Sequence, residues 1–210
     1  GVGWAEIAKN LITLRAPILG ARNEFVACRL LEERGIRAPT VAAFGIRGSN
    51  PARMQSFVVC DALEDMSSLE DVAGAWQREP PSLALKRQYI DAVADIARAL
   101  HGAGVNHRDF YICHLLADEG LLRSGTVALS VIDLHRAQVR TKTPRRWIRR
   151  DLAALLFSSF DAPLTRNDWY RFVRRYSSGT LREELIGQHG FWQAVYRRSV
   201  KLQRKGRRES

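Results

Sequence analysis

The chain is short of several things, and each shortage narrows what it can be. Across 210 residues it holds three cysteines, Cys28, Cys60 and Cys113. They are scattered, odd in number and without the spacing of metal ligands, which points to a reducing compartment, most simply cytosol. No run approaches the roughly 18 consecutive apolar residues that span a bilayer. No secretory leader is legible in the first residues, which read instead as an amphipathic helix. There is no internal repeat, and no low-complexity segment apart from a basic tail. Acid is scarce too: 22 acidic residues face 33 basic ones, leaving a net charge of +11.

That field favours anionic partners: nucleic acid, an anionic membrane surface, a phosphorylated glycolipid or an acidic protein. Nucleic acid is not expected, because the aromatics fall at core-like helical spacings and are not interleaved with Arg and Lys on a stacking surface. Much of the charge lies in Arg197, Arg198, Lys201, Arg204, Lys205, Arg207 and Arg208. That cluster reads equally as a solvated helix end and as a partner surface.

With 46% hydrophobic residues the chain can bury a core, in one domain or in two joined lobes. Trp4, Ile7, Ala8 and Leu11 predict a short helix over 3–12, and Phe25, Leu30 and Leu31 a second over 21–34, stopped by Gly35. Thr40–Arg47 and Gln55–Asp61 read as strands joined by a Gly48-Ser49-Asn50-Pro51 turn. Beyond about residue 67 the pattern is helical. Ser67 or Ser68 caps a short helix, with Glu70 and Asp71 placed for a capping box. A long helix over 83–103 follows, broken by Gly102 and Gly104. Further helices are predicted over 146–160, from the Thr165-Arg166-Asn167-Asp168 capping box, and from about 189. The layout is α+β: a strand-containing part over 1–62, a helical part over 63–210, and a connection near Cys60–Asp65.

The chemistry-bearing signal is His107-Arg108-Asp109, followed by the apolar run that delivers Asp133, Ser130-Val131-Ile132-Asp133-Leu134-His135. This order matches kinase-type phosphotransferases, whose first Asp orients the attacking hydroxyl and whose second holds Mg²⁺ against the nucleotide phosphates. For Asp109 the bland alternative is a turn residue, and for Asp133 a cap. His107 is either packed inside the loop or chemical, and Arg108 ties the loop down. Where protein kinases place a metal-binding Asn, five residues after the Asp, this chain has His114, a poorer Mg²⁺ ligand. His114 either ligates the metal, touches phosphate, orients the loop or does none of these. Glu24 stands where such folds place the Glu that pairs with a phosphate-binding Lys, although a solvated face is the default for a lone helical Glu. Asp61 and Leu63, on the connection, are where the nucleotide base is expected. Asp151 either caps its helix or braces the His-Arg-Asp backbone. A glycine-rich hairpin and its following Lys are missing: Gly1-Val2-Gly3 does not qualify, and Lys9, the one lysine ahead of Glu24, lies on the first predicted helix.

Asn106–His114, Val131–Gln138, Gly3–Leu11 and Arg146–Leu152 together resemble the lipopolysaccharide core heptose(I) kinases, over essentially the whole chain, with the Tyr111-Ile112-Cys113-His114 and Asp133-Leu134-His135-Arg136-Ala137-Gln138 runs the most specific. In that family His114 is the expected residue. The resemblance implies a protein-kinase-like two-lobed fold and ATP- and Mg²⁺-dependent phosphorylation of the first inner-core heptose. The place is the bacterial cytoplasm, peripheral to the cytoplasmic face of the inner membrane. It also implies an N-lobe incomplete in this chain, with the strands and Lys upstream, and acyl carrier protein as an acidic partner. Arg136 and the basic loop Arg140–Arg150 are candidates for gripping the anionic glycolipid. Rival readings are another small-molecule or protein kinase on the same fold, and a non-catalytic scaffold for an acidic partner.

Overall fold

The computed structural model describes residues 20–50 and 53–209, with side chains described through residue 207. The helix expected over 3–12, Lys9 with it, and Pro51 of the expected turn lie outside the described residues.

Helix α1 (Arg22–Glu33) turns Ala27, Cys28 and Leu31 inward. It stops because Gly35 adopts φ +66°, and Ile36 and Gly35 then donate backward to the carbonyls of Leu31 (2.8 Å) and Glu32 (3.0 Å), a Schellman closure. Strands β1 (Val41–Arg47) and β2 (Gln55–Cys60) follow as an antiparallel pair. The Phe25 and Phe44 rings stack at 4.3 Å and fix α1 onto β1. The three cysteines are free thiols, and burial pushes that of Cys28 up to about 12.

Two further small sheets form the floor of the His107-Arg108-Asp109 segment. Strands β3 (Met66–Ser68), β5 (Leu115–Asp118) and β6 (Leu129–Val131) make an antiparallel sheet in the order β3-β5-β6, and β4 (Val105–Asn106) pairs with β7 (Gln138–Val139). The exit of α1 is pinned to this floor, since Val131 N–H donates to the Arg37 carbonyl at 2.9 Å. The remaining elements are helical: α2 (Leu69–Ala75), α3 (Leu83–Gly102), α4 (Glu119–Arg123), α5 (Arg145–Ser158), α6 (Arg166–Tyr176), α7 (Leu181–Gly187) and α8 (His189–Glu209).

Helix α3 packs on α6, and α5 on α8. The core runs between them through Leu100, Phe110, Leu134, Leu152, Val173 and Val195, each at most 2% exposed. A fully buried Leu or Phe of this kind contributes about 1.5–3 kcal/mol. The interface of α6 and α8 is aromatic: Trp192 meets Trp169 and Tyr176 edge-on at 5.6 and 6.0 Å. Helix α6 opens with the expected box, in which Asp168 N–H donates to Thr165 Oγ1 while Asp168 Oδ2 accepts from Thr165 N–H. That carboxylate also holds Lys86 Nζ at 2.7 Å. On α2 the cap is Ser68, which accepts from Asp71 N–H and donates to the Asp71 carboxylate at 2.6 Å. The expected reciprocal box is therefore replaced by a side-chain bond.

Gly104 does more than end α3. Its φ is +83°, and a Cβ there would lie 1.8 Å from the Arg140 carbonyl oxygen. This close approach, closed by Arg140 N–H donating to the Gly104 carbonyl at 3.0 Å, clamps the β4–β7 pair just ahead of His107.

Candidate active site around Asp109 and Asp133

The catalytic segment leaves β4 at Asn106, whose side chain is fully buried and accepts from Arg140 Nη1. His107 and Arg108 come next, and both backbone N–H groups donate to one carboxylate: His107 to Asp151 Oδ2 at 2.7 Å and Arg108 to Asp151 Oδ1 at 3.0 Å. Asp151 is fully buried in the second turn of α5, whose N-cap is Pro144, so it braces the loop and caps nothing. His101 Nε2 stands 3.5 Å from the same carboxylate, and its Nδ1 meets the Tyr176 hydroxyl at 2.9 Å. This brace matters because Arg108 has φ +77°, a left-handed conformation that costs a non-glycine residue about 1–2 kcal/mol.

His107 points inward. It is 1% exposed, its Nε2 is 2.8 Å from the Ile132 carbonyl, and burial pulls its pKa down. A neutral ring that donates from Nε2 satisfies these contacts. Its ring stacks on that of His114 at 5.7 Å and 13°. Ile132 N–H in turn donates to the His114 carbonyl at 3.0 Å. Two bonds thus stitch the segment carrying Asp109 to the strand end carrying Asp133.

Asp109 shows both carboxylate oxygens to Arg136 Nη1, each at 2.8 Å. Its carbonyl accepts from Tyr111 N–H at 2.9 Å and from His114 Nδ1 at 2.7 Å. A carbonyl only accepts, so Nδ1 carries the proton and Nε2 of His114 faces Asp133 Oδ2, 3.4 Å away. That nitrogen either donates to Asp133 in the imidazolium or presents a lone pair toward a cation held there. Asp133 sits in the left-handed region, φ 60° and ψ 53°. Its Oδ1 meets His135 Nδ1.

Glu24 reaches the same surface from α1. Burial pushes its carboxyl up, His135 lowers it and Asp133 raises it, so all three groups share one electrostatic neighbourhood. Asp133, 36% exposed, offers carboxylate oxygen where phosphate and water have access, which is the donor set magnesium takes. His114 supplies nitrogen, a poorer partner for that ion. Among the described residues no group of three or more His, Cys, Asp or Glu gathers as a ready metal cage.

Of the expected site residues, the structure brings Asp109, Asp133, His114 and Glu24 together, with His107 and the Arg108 backbone beneath them. Asp61 and Leu63 stand apart on the irregular connection after β2. Asp61 is exposed and its N–H donates to the Thr40 carbonyl at 2.9 Å, Leu63 is half-buried, and neither side chain bonds to the carboxylate pair. Two functional contacts went unread in the sequence. Arg136, a candidate for gripping the glycolipid, also holds Asp109. His135 was quoted within its motif without a role. The alternation of base and acid in Asp133-Leu134-His135-Arg136 was the available signal. A cavity of about 400 Å³ lies between α2, α3, α5 and α6, lined mostly by apolar side chains with Arg166 and Asp168 as its charged lining residues.

The profile of the Lipopolysaccharide kinase (Kdo/WaaP) family matches residues 1–176. The chain is 47% identical over 209 residues to the lipopolysaccharide core heptose(I) kinase WaaP of Pseudomonas aeruginosa, covering 99% of this chain and 78% of that protein. It is 40% identical over 213 residues to the protein of that name from Escherichia coli, covering 100% of this chain and 80% of the relative. Among solved structures it is similar to WaaP in complex with acyl carrier protein, with TM-score 0.82 and 46% identity over 88% of this chain and 77% of that one. The chain belongs to the lipopolysaccharide kinase (Kdo/WaaP) family.

Proposed function

We propose that this family member transfers the γ-phosphoryl group of ATP to the first heptose of the lipopolysaccharide inner core. The relatives that carry this activity in their names are 47% and 40% identical over nearly the whole chain. The observation that carries the reading is the stitched carboxylate pair: Asp109 beside Arg136, and Asp133 beside His114, joined through Ile132.

In this reading Asp109 orients the acceptor hydroxyl and takes its proton, the oxygen displacing Arg136 from one carboxylate oxygen. Arg136 keeps that carboxylate aimed. Asp133 would hold magnesium through an oxygen, and the bound ion would supply neutralisation of phosphate charge. His114, fixed by its bond to the Asp109 carbonyl, keeps Asp133 turned toward the phosphates. Glu24 is the partner of a phosphate-gripping Lys. His107 and Asp151 position the loop without touching substrate. Phosphoryl transfer of this kind asks for alignment and charge stabilisation more than covalent help.

The two-lobed, protein-kinase-like arrangement, divided near residue 62, is supported by the separation of the β1–β2 sheet from the other two. Asp61 and Leu63 then border the nucleotide base. No described helix is long and apolar enough to cross a membrane. Work at the cytoplasmic face of the inner membrane, on an anionic surface, fits the net charge of +11. The same charge suits acyl carrier protein, the partner named for the solved relative.

The test is transfer from γ-labelled ATP to heptose-containing inner-core glycolipid, with Asp109→Ala as control. Labelled glycolipid that vanishes in the variant is expected. No transfer from a folded, ATP-binding protein overturns the reading.

A further inference from the structure

Trp147, in the first turn of α5, is ringed by guanidinium groups. Arg150 lies 4.4 Å from its ring centroid, Arg140 and Arg146 5.7 Å, and Arg108 6.0 Å. The indole Nε1–H is buried and has no acceptor among the described residues. Arg140 is bonded to the neutral side chains of Asn106 and Gln138, and burial and Arg146 pull its pKa down. Nearby on α8, Arg198 is lowered by burial and then by Arg150 and Arg149. No ion pair to a carboxylate is formed by Arg140, Arg146, Arg149, Arg150 or Arg198 among the described residues. Donors converge here, and the acceptors that Arg140 meets, Asn106 Oδ1 and Gln138 Oε1, carry no charge.

Mutual repulsion among these cations is a standing cost, which an oxyanion would relieve. Guanidinium forks match the flat or tetrahedral oxygen arrays of carboxylate and phosphate. Position says which substrate carries them. Arg108 precedes Asp109, and Arg198 acts on Tyr111, two residues beyond it, where Asp109 and Arg136 also act. Arg108, 6.0 Å from the Trp147 ring, is the chain neighbour of Asp109, so the cluster borders the acceptor-orienting carboxylate.

We propose that the Trp147 arginine cluster, with Arg146 and Arg150 as its exposed arms, is an acceptor subsite that binds an oxyanion carried by a residue flanking the phosphorylated sugar. This rests on the glycolipid-kinase reading and deepens it. The neutral acceptor sugar gives an enzyme little to hold, whereas charged neighbours anchor it in register with Asp109.

The experiment uses the full chain and compares Arg146→Ala, Arg150→Ala and the double variant with the unaltered protein. Each single change is expected to raise the acceptor KM about tenfold, the worth of one hydrogen bond to a charged group, with the ATP KM unchanged. Trp147→Phe, which deletes the indole N–H, moves the same parameter in the same direction. Carboxyl-reduced and dephosphorylated acceptors separate the two sources of oxyanion: on the form that has lost the recognised group, the arginine changes add nothing further. Calorimetric binding of the acceptor saccharide without ATP reads the subsite independently of turnover, so failure of the kinase reading (no transfer by the unaltered chain) is distinguished from failure of the subsite. An unchanged acceptor KM and binding constant in folded variants overturns the proposal. So does the same loss on both altered acceptors, and so does a loss confined to acyl carrier protein binding, which would assign the arginines to that acidic partner.

Discussion

Arg136 grips both carboxylate oxygens of Asp109 through one guanidinium nitrogen, at 2.8 Å each, from a one-turn helix that begins directly after Asp133. The carboxylates of Asp109 and Asp133 are therefore coupled through the backbone of Asp133–Arg136. A shift at one carboxylate is felt at the other.

From this coupling, Asp109→Asn is expected to lower kcat by about 10²–10⁴-fold, the usual worth of a positioned general base. Arg136→Ala should lower it by roughly tenfold or more, with Arg136→Lys restoring part. Because Arg136 is 40% exposed, its loss should cost at most about 1 kcal/mol of stability. Kinetics and urea melts on the same preparations check both halves, and a strongly destabilised Arg136→Ala would contradict the second.

Asp151 is a different case. Its removal leaves the His107 and Arg108 N–H groups buried without acceptors, at about 1–3 kcal/mol each. Asp151→Ala is expected to lose about 2–5 kcal/mol and nearly all activity. Asp151→Asn keeps one oxygen acceptor and should fall between. Equilibrium unfolding and turnover measured together separate the loss of brace from loss of fold.

Gly104→Ala should destabilise by at least about 2 kcal/mol, since the left-handed backbone and the Arg140 carbonyl both oppose a Cβ. Gly102→Ala, which meets nothing within 4 Å, should be neutral or mildly stabilising. Thermal melts of the pair decide it.

Two buried groups contribute to the acid limb of stability. His107 is held below its ordinary 6.5 by burial, so as pH falls below 6.5 the unfolded chain takes a proton that the folded chain refuses. Stability should fall with pH there, by up to about 1.4 kcal/mol per unit for one group. His107→Phe should flatten that slope while losing the bond to Ile132. For Asp168, burial pushes the carboxyl up, but the bonds from Lys86 and Thr165 outweigh it and hold it below 3.8. Its contribution is present above 3.8 and disappears as pH falls through the lower folded value. Urea midpoints followed from neutral to strongly acidic pH, in the parent chain, His107→Phe and Asp168→Asn, test both signs.

Much of this was legible beforehand. Helices α1, α3 and α6 announce themselves through apolar residues three and four apart, and α6 also through its capping box. Strand β2 alternates over its six residues, enough for a period of two to show. Strand β1, with an irregularity between Val41 and Ala43, does not, and is legible from its β-branched and aromatic residues and the turn that follows. Strands β3, β4 and β7 are two or three residues long, too short for any period, and exist because neighbours complete them. Helix α7 was missed although Thr180 and Glu183 form a second capping box, a signal that was there to be read.

What the sequence determined by itself was the inventory: most of the helical segments, the His-Arg-Asp and Val-Ile-Asp motifs, and a surplus of positive charge. What only the tertiary structure decided was pairing. Arg136 meets Asp109 across 27 residues and Asp151 meets His107 across 44, and neither distance in sequence carries a local signal. Such contacts depend on how α5 and the two small sheets pack around Leu134 and Leu152. Burial then selects between roles the chain leaves open: it made Asp151 a brace instead of a cap, and turned His107 inward.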